Sequence, residues 1–278
     1  MKITRTMFAY PYVVWMLIFI FAPMLMIAYY AFTSDGAFTF DNIVGAVQNQ
    51  TYMQVLLRSV WIALKATVIC LLLGYPIAYL LSKMKKSTAA FLSVLFIVPM
   101  WMNFLLRTYA WQVLLSPSGV LNTVLDALNL PTQKFLYTES AVMLGTVYNF
   151  LPFMILPIHT VLSKMDESQI EAAHDLGANG VTTFLKVVLP LSMPGVISGI
   201  TMVFIPAITT FAISRLLGGS MFMLYGDLIE NQFITLGIDA WGSGSALSFI
   251  LLVLVLISMA IMRRAEREAG EEGGGKLW

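Results

Sequence analysis

Two groups of side chains have types and spacing suited to handling a charged solute. The first lies in PMWMNFLLRTYAWQ, residues 99–112, which sets Asn103, Arg107, Thr108, Tyr109, Trp111 and Gln112 in an apolar run, with Trp101 just ahead. Asn103 and Arg107 are four apart, about one helical turn, and are expected to share a face towards a solute pathway. The second lies in YGDLIENQF, residues 225–233, where Tyr225 precedes Asp227 and Glu230, three apart on one expected helical face. Asp239 and Trp241 follow, and Asn149 stands ahead of Pro152, Pro157 and His159 in another apolar run. Carboxylates at intervals beside aromatic rings suit a solute with several ammonium groups, since each ring face attracts a cation by about 0.5–2 kcal/mol. Plainer readings stand beside these. Acidic residues outside a membrane are also a solvated surface or a docking patch, and Tyr and Trp near span ends form an interfacial belt. Arg107 equally reads as snorkelling to the near surface, and Lys65 reads so too.

None of this is covalent chemistry. No His, Cys, Asp or Glu cluster has metal-ligand spacing, and no nucleophile elbow occurs. Cys70 is the single cysteine and sits in an apolar run, which excludes disulfides and cysteine-built metal sites. GEEGGGKL, residues 270–277, imitates a phosphate loop but has Leu277 where the motif needs Ser or Thr. The reading is no catalytic residue, no metal and no cofactor in this chain.

The elements that position such side chains must be membrane helices. Hydrophobic residues make up 59% and charged residues 11% of the 278, against about a quarter charged in soluble domains. A net charge of +1 offers no case for nucleic acid. Apolar runs near the roughly 20 residues needed to cross a bilayer predict six spans, at about 12–32, 60–81, 89–113, 141–162, 195–214 and 246–262. The first is too long for a signal-peptide core and is read as a retained anchor. With the N-terminus inside, inner segments hold 11 Lys and Arg and outer segments hold 3, so both termini are expected to be cytoplasmic. Short interfacial or re-entrant helices are expected at 121–130 and 224–233.

The long inner connection, residues 163–194, departs from the basic pattern of the others, with Asp166, Glu167, Glu171 and Asp175 against Lys164 and Lys186. Asp166 followed by Gln169 predicts a capped helix start, and Gly177 a left-handed stop. Ile170, Ala172, Ala173, Leu176 and Gly177 share a small apolar arc, opposite an acidic stripe of Glu167, Glu171 and Asp175. A short acidic helix of this kind suits a protein groove rather than an anionic leaflet. A second helical piece is expected at 182–189, stopped by Pro190.

The segment EAAHDLGANGVTTFLKVVLP, residues 171–190, resembles the signature loop of binding-protein-dependent ABC importer permeases. That pattern is E-A-A, three residues, G, nine residues, I, one residue, L-P. It is met by Glu171, Ala172, Ala173, Gly177, Leu189 and Pro190, with Val187 in place of the Ile. Length, span number and orientation resemble this family over essentially the whole chain. Within it, residues 99–115, the opening TRTMFAYPYVVWMLIFIFAPM and GDLIENQF look like the permeases of spermidine/putrescine transporters.

The resemblance implies an all-α polytopic fold of the type I importer class, in a bacterial cytoplasmic membrane. It also implies a second homologous permease and two cytoplasmic ATPase subunits that hold ATP and Mg and receive the signature loop. A soluble extracytoplasmic binding protein delivers the polyamine, and transport proceeds by alternating access. Importers of ferric ion, thiamine or an anion stand as alternatives, the last kept open by Arg107. An ion-coupled secondary transporter is a further alternative, although no internal repeat of the expected kind is visible.

Overall fold

The computed structural model describes residues 10–34, 36–219, 222–237 and 240–275. A backbone in hydrocarbon must satisfy its own polar groups, which helices do within one segment, and this chain is helical almost throughout. The order is α1 Tyr10–Ala31, α2 Asp41–Gln48, α3 Gln50–Lys83, α4 Lys86–Trp101, α5 Phe104–Leu115, α6 Val120–Ala127, α7 Glu139–Leu162, α8 Glu167–Asp175, α9 Gly180–Thr209, α10 Tyr225–Ile234 and α11 Trp241–Gly275. The one departure from all-α among the described residues is a small antiparallel hairpin, β1 Thr33–Ser34 with β2 Ala37–Phe38. Among the described residues, α1, α3, α7, α9 and α11 are long and apolar enough to cross a membrane unbroken.

The third predicted span is not one rod. Lys86–Trp101 and Phe104–Ala127 meet at 90° and together make the sixth candidate span. Pro99 has no N–H to give the ladder, Met102 is extended at ψ 146°, and Asn103 starts a new helix. The inner connection also differs from expectation. The chain does not stop at Pro190 but continues as α9, through a wider π turn at Phe184–Val188. There the Leu189 N–H bonds the Phe184 carbonyl, five residues back. Widening the turn ahead of Pro190 moves the ladder out of register with the missing proline donor, so the helix survives.

A single permease domain is expected from the sequence; packing divides it into two compact units, residues 1–56 with 228–254 and residues 57–227 with 255–278. The first holds α1, whose most apolar window is 0% buried. Its aromatic cluster sets the Phe32 ring 5.0 Å from Phe249 and 5.5 Å from Phe40. Asn42 Nδ2 donates to the carbonyls of Tyr30 and Thr33, tying α2 to the end of α1.

The second unit is built around α7, with 61% of its apolar window buried. Pro152 and Pro157 lie inside α7 without breaking it. Gly195 and Gly199, four apart, are small residues of the kind that permits close helix packing. A Cβ on Gly195 would stand 2.9 Å from the Pro157 carbonyl oxygen, and one on Gly199 would stand 2.8 Å from Met154 Sδ. α9 lies against α7 along this seam, over Met154, Ile155 and Ile158, all fully buried. Lys65 does not simply reach for solvent: its Nζ meets Glu139 Oε1 at 2.7 Å, at the first turn of α7. With side chains 38% and 44% exposed, the pair contributes at most about 1 kcal/mol.

Candidate coupling loop and translocation residues

α8 is held by its two ends. Asp166 is the N-cap, and its Oδ1 accepts the Ser168 N–H at 3.0 Å. The Ser168 backbone N–H first, and then its side chain, hold the Asp166 carboxyl below the usual carboxylate range. The expected capping box is half made: Asp166 binds Ser168, and no return bond from Gln169 occurs among the described residues. At the other end Gly177 has φ +82°. Its N–H bonds the His174 carbonyl, and the Ala178 N–H reaches back to Ala173. This pair of bonds is the Schellman arrangement, which a left-handed residue makes possible.

No residue of α8 is buried. Glu167, Glu171, Ala172, His174 and Asp175 are exposed, Ile170 and Ala173 are half-buried, and Leu176 is 89% exposed. The sequence arc of small apolar residues therefore does not pack on this chain as a face. An apolar tip of this kind beside an acidic stripe has the make-up of a surface awaiting a protein. Of the remaining signature positions, Val187 and Leu189 are half-buried and Pro190 is exposed.

The candidate translocation residues fall into different roles. Asn103 does not share a helix face with Arg107. It is the N-cap of α5, and its Oδ1 accepts the N–H groups of Leu105 and Leu106. Arg107 is 9% exposed and folds back across the break, its Nη1 donating to the Pro99 carbonyl at 2.6 Å. At the break the Met102 N–H reaches this carbonyl at 3.3 Å, and the guanidinium adds a second, shorter bond. Arg107 also lies 5.9 Å from the centroid of Tyr148, whose ring meets Trp111 edge-on at 5.3 Å. Trp101 is 81% exposed and Tyr109 is 49% exposed. Asn149 is 1% exposed; its Nδ2 donates to the Gly145 carbonyl, while its Oδ1 has no partner among the described residues.

Tyr225 and Asp227 are not outward-facing. Tyr225 is fully buried, and its backbone N–H donates to Ser59 Oγ at 2.8 Å. Asp227, 9% exposed, accepts the Ser214 hydroxyl and the Leu224 N–H on Oδ2. It stands at the third position of α10 and bonds the residue before the helix, which is how an acidic side chain caps from inside the first turn. Glu230 is half-buried on the same helix, Trp241 opens α11, and Asp239 lies outside the described residues. Among the described residues no group of three or more His, Cys, Asp or Glu could hold a metal.

Sequence reading missed Tyr148, because nothing in the string places it opposite Arg107. It also missed Phe184 and the Tyr75–Tyr79 pair on α3, whose spacing of four was the available signal. The Phe184 ring meets Tyr75 at 5.8 Å and Tyr79 at 5.5 Å, both edge-on.

This arrangement has known counterparts. Residues 70–270 match the model of the binding-protein-dependent transport system inner membrane component family. The spermidine/putrescine transport system permease protein PotB of Escherichia coli (strain K12) is 38% identical over 262 residues, covering 91% of this chain and 94% of that one. PotB of Haemophilus influenzae is likewise 38% identical, covering 91% of each. Among solved structures, a bacterial ABC transporter involved in import of the acidic polysaccharide alginate aligns with a TM-score of 0.67 at 18% identity, over 91% of this chain and 93% of that one. The MetNI methionine ABC transporter aligns with a TM-score of 0.56 at 19% identity, over 80% and 99%. The two solved structures speak for the fold, and the matched span of residues speaks for descent: this multi-pass membrane chain belongs to the binding-protein-dependent transport system inner membrane components, the permeases of ABC importers.

Proposed function

We propose that this chain is one permease subunit of an ATP-driven importer of spermidine or putrescine in a bacterial cytoplasmic membrane. The observation that carries the substrate is the 38% identity to PotB over nine-tenths of both chains. A second, homologous permease completes the pathway, and a soluble binding protein delivers the polyamine from outside. Both termini are cytoplasmic. Two ATPase subunits hold ATP and Mg, and this chain binds neither. Glu171, Ala172, Ala173 and Gly177 form the contact with one ATPase, and Val187, Leu189 and Pro190 fix the return into α9. What supports this is a capped helix with no buried residue and an exposed Leu176 at its tip. Trp101, Tyr109, Trp111 and the Tyr148 ring are the strongest aromatic candidates along the pathway. Asn103, Arg107, Tyr225 and Asp227 shape it by holding backbone, while Asn149 and Glu230 stay candidates for solute contact.

Uptake of labelled spermidine by cells or vesicles bearing the full transporter tests the substrate. Unlabelled putrescine and spermidine are expected to compete, and sulfate and molybdate to have no effect. Competition by the anions alone would overturn the polyamine reading and leave the family intact.

A further inference from the structure

The coupling loop has two routes by which to move the spans. One runs along the chain, from α8 through the π turn at Phe184–Val188 into α9. A π turn has fewer well-placed backbone bonds than regular helix and is a natural place to bend. The second route runs sideways. α8 lies against the π turn, and the Phe184 ring on that turn inserts edge-on against both Tyr75 and Tyr79 of α3. These tyrosines are four apart and stack one above the other on one face. The Tyr75 side of the contact is itself fastened. Its hydroxyl lies 2.8 Å from Ser192 Oγ on α9, and Ser192, fully buried, donates to the Leu189 carbonyl. The Ser192 proton is thus committed, so the Tyr75 O–H donates. One tyrosine therefore holds the loop by its ring and α9 by its hydroxyl.

We infer that Phe184 and Tyr75 are positioning residues that make α8, the π turn and the inner end of α3 move as one body, so that ATPase motion reaches α3 directly. This rests on the reading of α8 as the ATPase contact. Edge-on aromatic packing is stiff because displaced rings lose their preferred geometry, and packed interfaces switch between discrete arrangements rather than stretching. The Tyr75–Ser192 bond carries this body past the π turn and into the start of α9.

The test places spin labels at Val181→Cys and Met84→Cys, exposed at 69% and 41%, in a Cys70→Ala background of the assembled transporter. The distance is read without nucleotide and with ATP and vanadate. One narrow distance, the same in both states, is expected. Phe184→Ala is expected to broaden or shift it, with the ATPase still bound, and to lower spermidine-stimulated ATP hydrolysis roughly tenfold. Phe184→Tyr is expected to restore both. A distance that changes with nucleotide in the unsubstituted chain, or is untouched by Phe184→Ala, overturns the inference. If Phe184→Ala does not assemble, Tyr75→Phe and Ser192→Ala decide. Each is expected to reduce stimulated hydrolysis, with the double variant little worse than either, since all three break one bond. Additive losses, or none, overturn it. Gly177→Asp in the same background separates the two readings: an ATPase that stays bound to that variant refutes the coupling-loop assignment, whatever Phe184 does.

Discussion

Gly177→Asp is expected to abolish uptake while the chain inserts at normal levels with unchanged topology. Gly177 holds φ +82°, a conformation that costs a residue with a Cβ about 1 kcal/mol or more. An added Cβ there would meet nothing within 4 Å, so no clash inside this chain complicates the outcome. The whole effect falls on the end of α8 and on what docks there. A carboxylate would also add negative charge where the helix C-terminus is already negative. Glu171→Lys is expected to act at the same surface by another route. The acidic stripe calls for Arg or Lys on the ATPase, and removing one member of a desolvated charge pair costs roughly 3–5 kcal/mol. Glu167→Lys, at the helix start, should do less. Co-purification of the ATPase alongside uptake measures all three. Full retention of both by Gly177→Asp and Glu171→Lys would mean that α8 is not the coupling element.

The second large effect is expected at Asp227, through folding rather than binding. Replacing it with Ala leaves the buried Leu224 N–H without its acceptor and the Ser214 hydroxyl with only the Phe211 carbonyl. Each buried unmet donor costs about 1–3 kcal/mol. Asp227→Ala should therefore lower the yield of folded protein and its melting temperature. Transport per folded molecule, and the KM for polyamine, should change little. Asp227→Asn, which keeps an acceptor, should recover most of the yield. A variant that folds at normal yield but shows a raised KM alone would return Asp227 to the solute pathway.

Asp227 also marks the limit of what the sequence discloses. Its type, its spacing from Glu230 and its aromatic neighbour all suit an ammonium group, and the same features suit a helix start. Only the partners distinguish the two, and Ser214 lies thirteen residues away across a turn. Asn103 misleads in the same way. A period of four implies a shared face only if the helix is continuous, and Pro99 with the extended Met102 ends it first. Arg107 follows from that, because its partner is the Pro99 carbonyl at the break. By contrast, the start and stop of α8 were legible, since Asp166 and Gly177 act within a few residues of themselves. Close packing at Gly195 and Gly199 was legible too, because the absence of a side chain is a fact of the string, whereas the helix they meet, α7, was not. Pro190 was misread: a proline in the string says that a donor is missing, not that the helix ends, as Pro152 and Pro157 inside α7 also show.

The way α8 is secured bears on the contact with an ATPase proposed for it. A nine-residue helix is too short to persist in water by itself, and this one draws nothing from a buried face. It is kept by Asp166 at one end and Gly177 at the other. The exposed residues between, Glu167, Glu171, Ala172 and Asp175, are left free to diverge with a partner. Recognition can then be rewritten without rebuilding the loop. Exchanging Glu167, Glu171, Ala172 and Asp175 for another permease's residues, with both caps left in place, should yield a chain that folds as before and accepts a different ATPase. In a cell that runs several such importers side by side, this separation of scaffold from address would let one fold serve many non-interchangeable pairs.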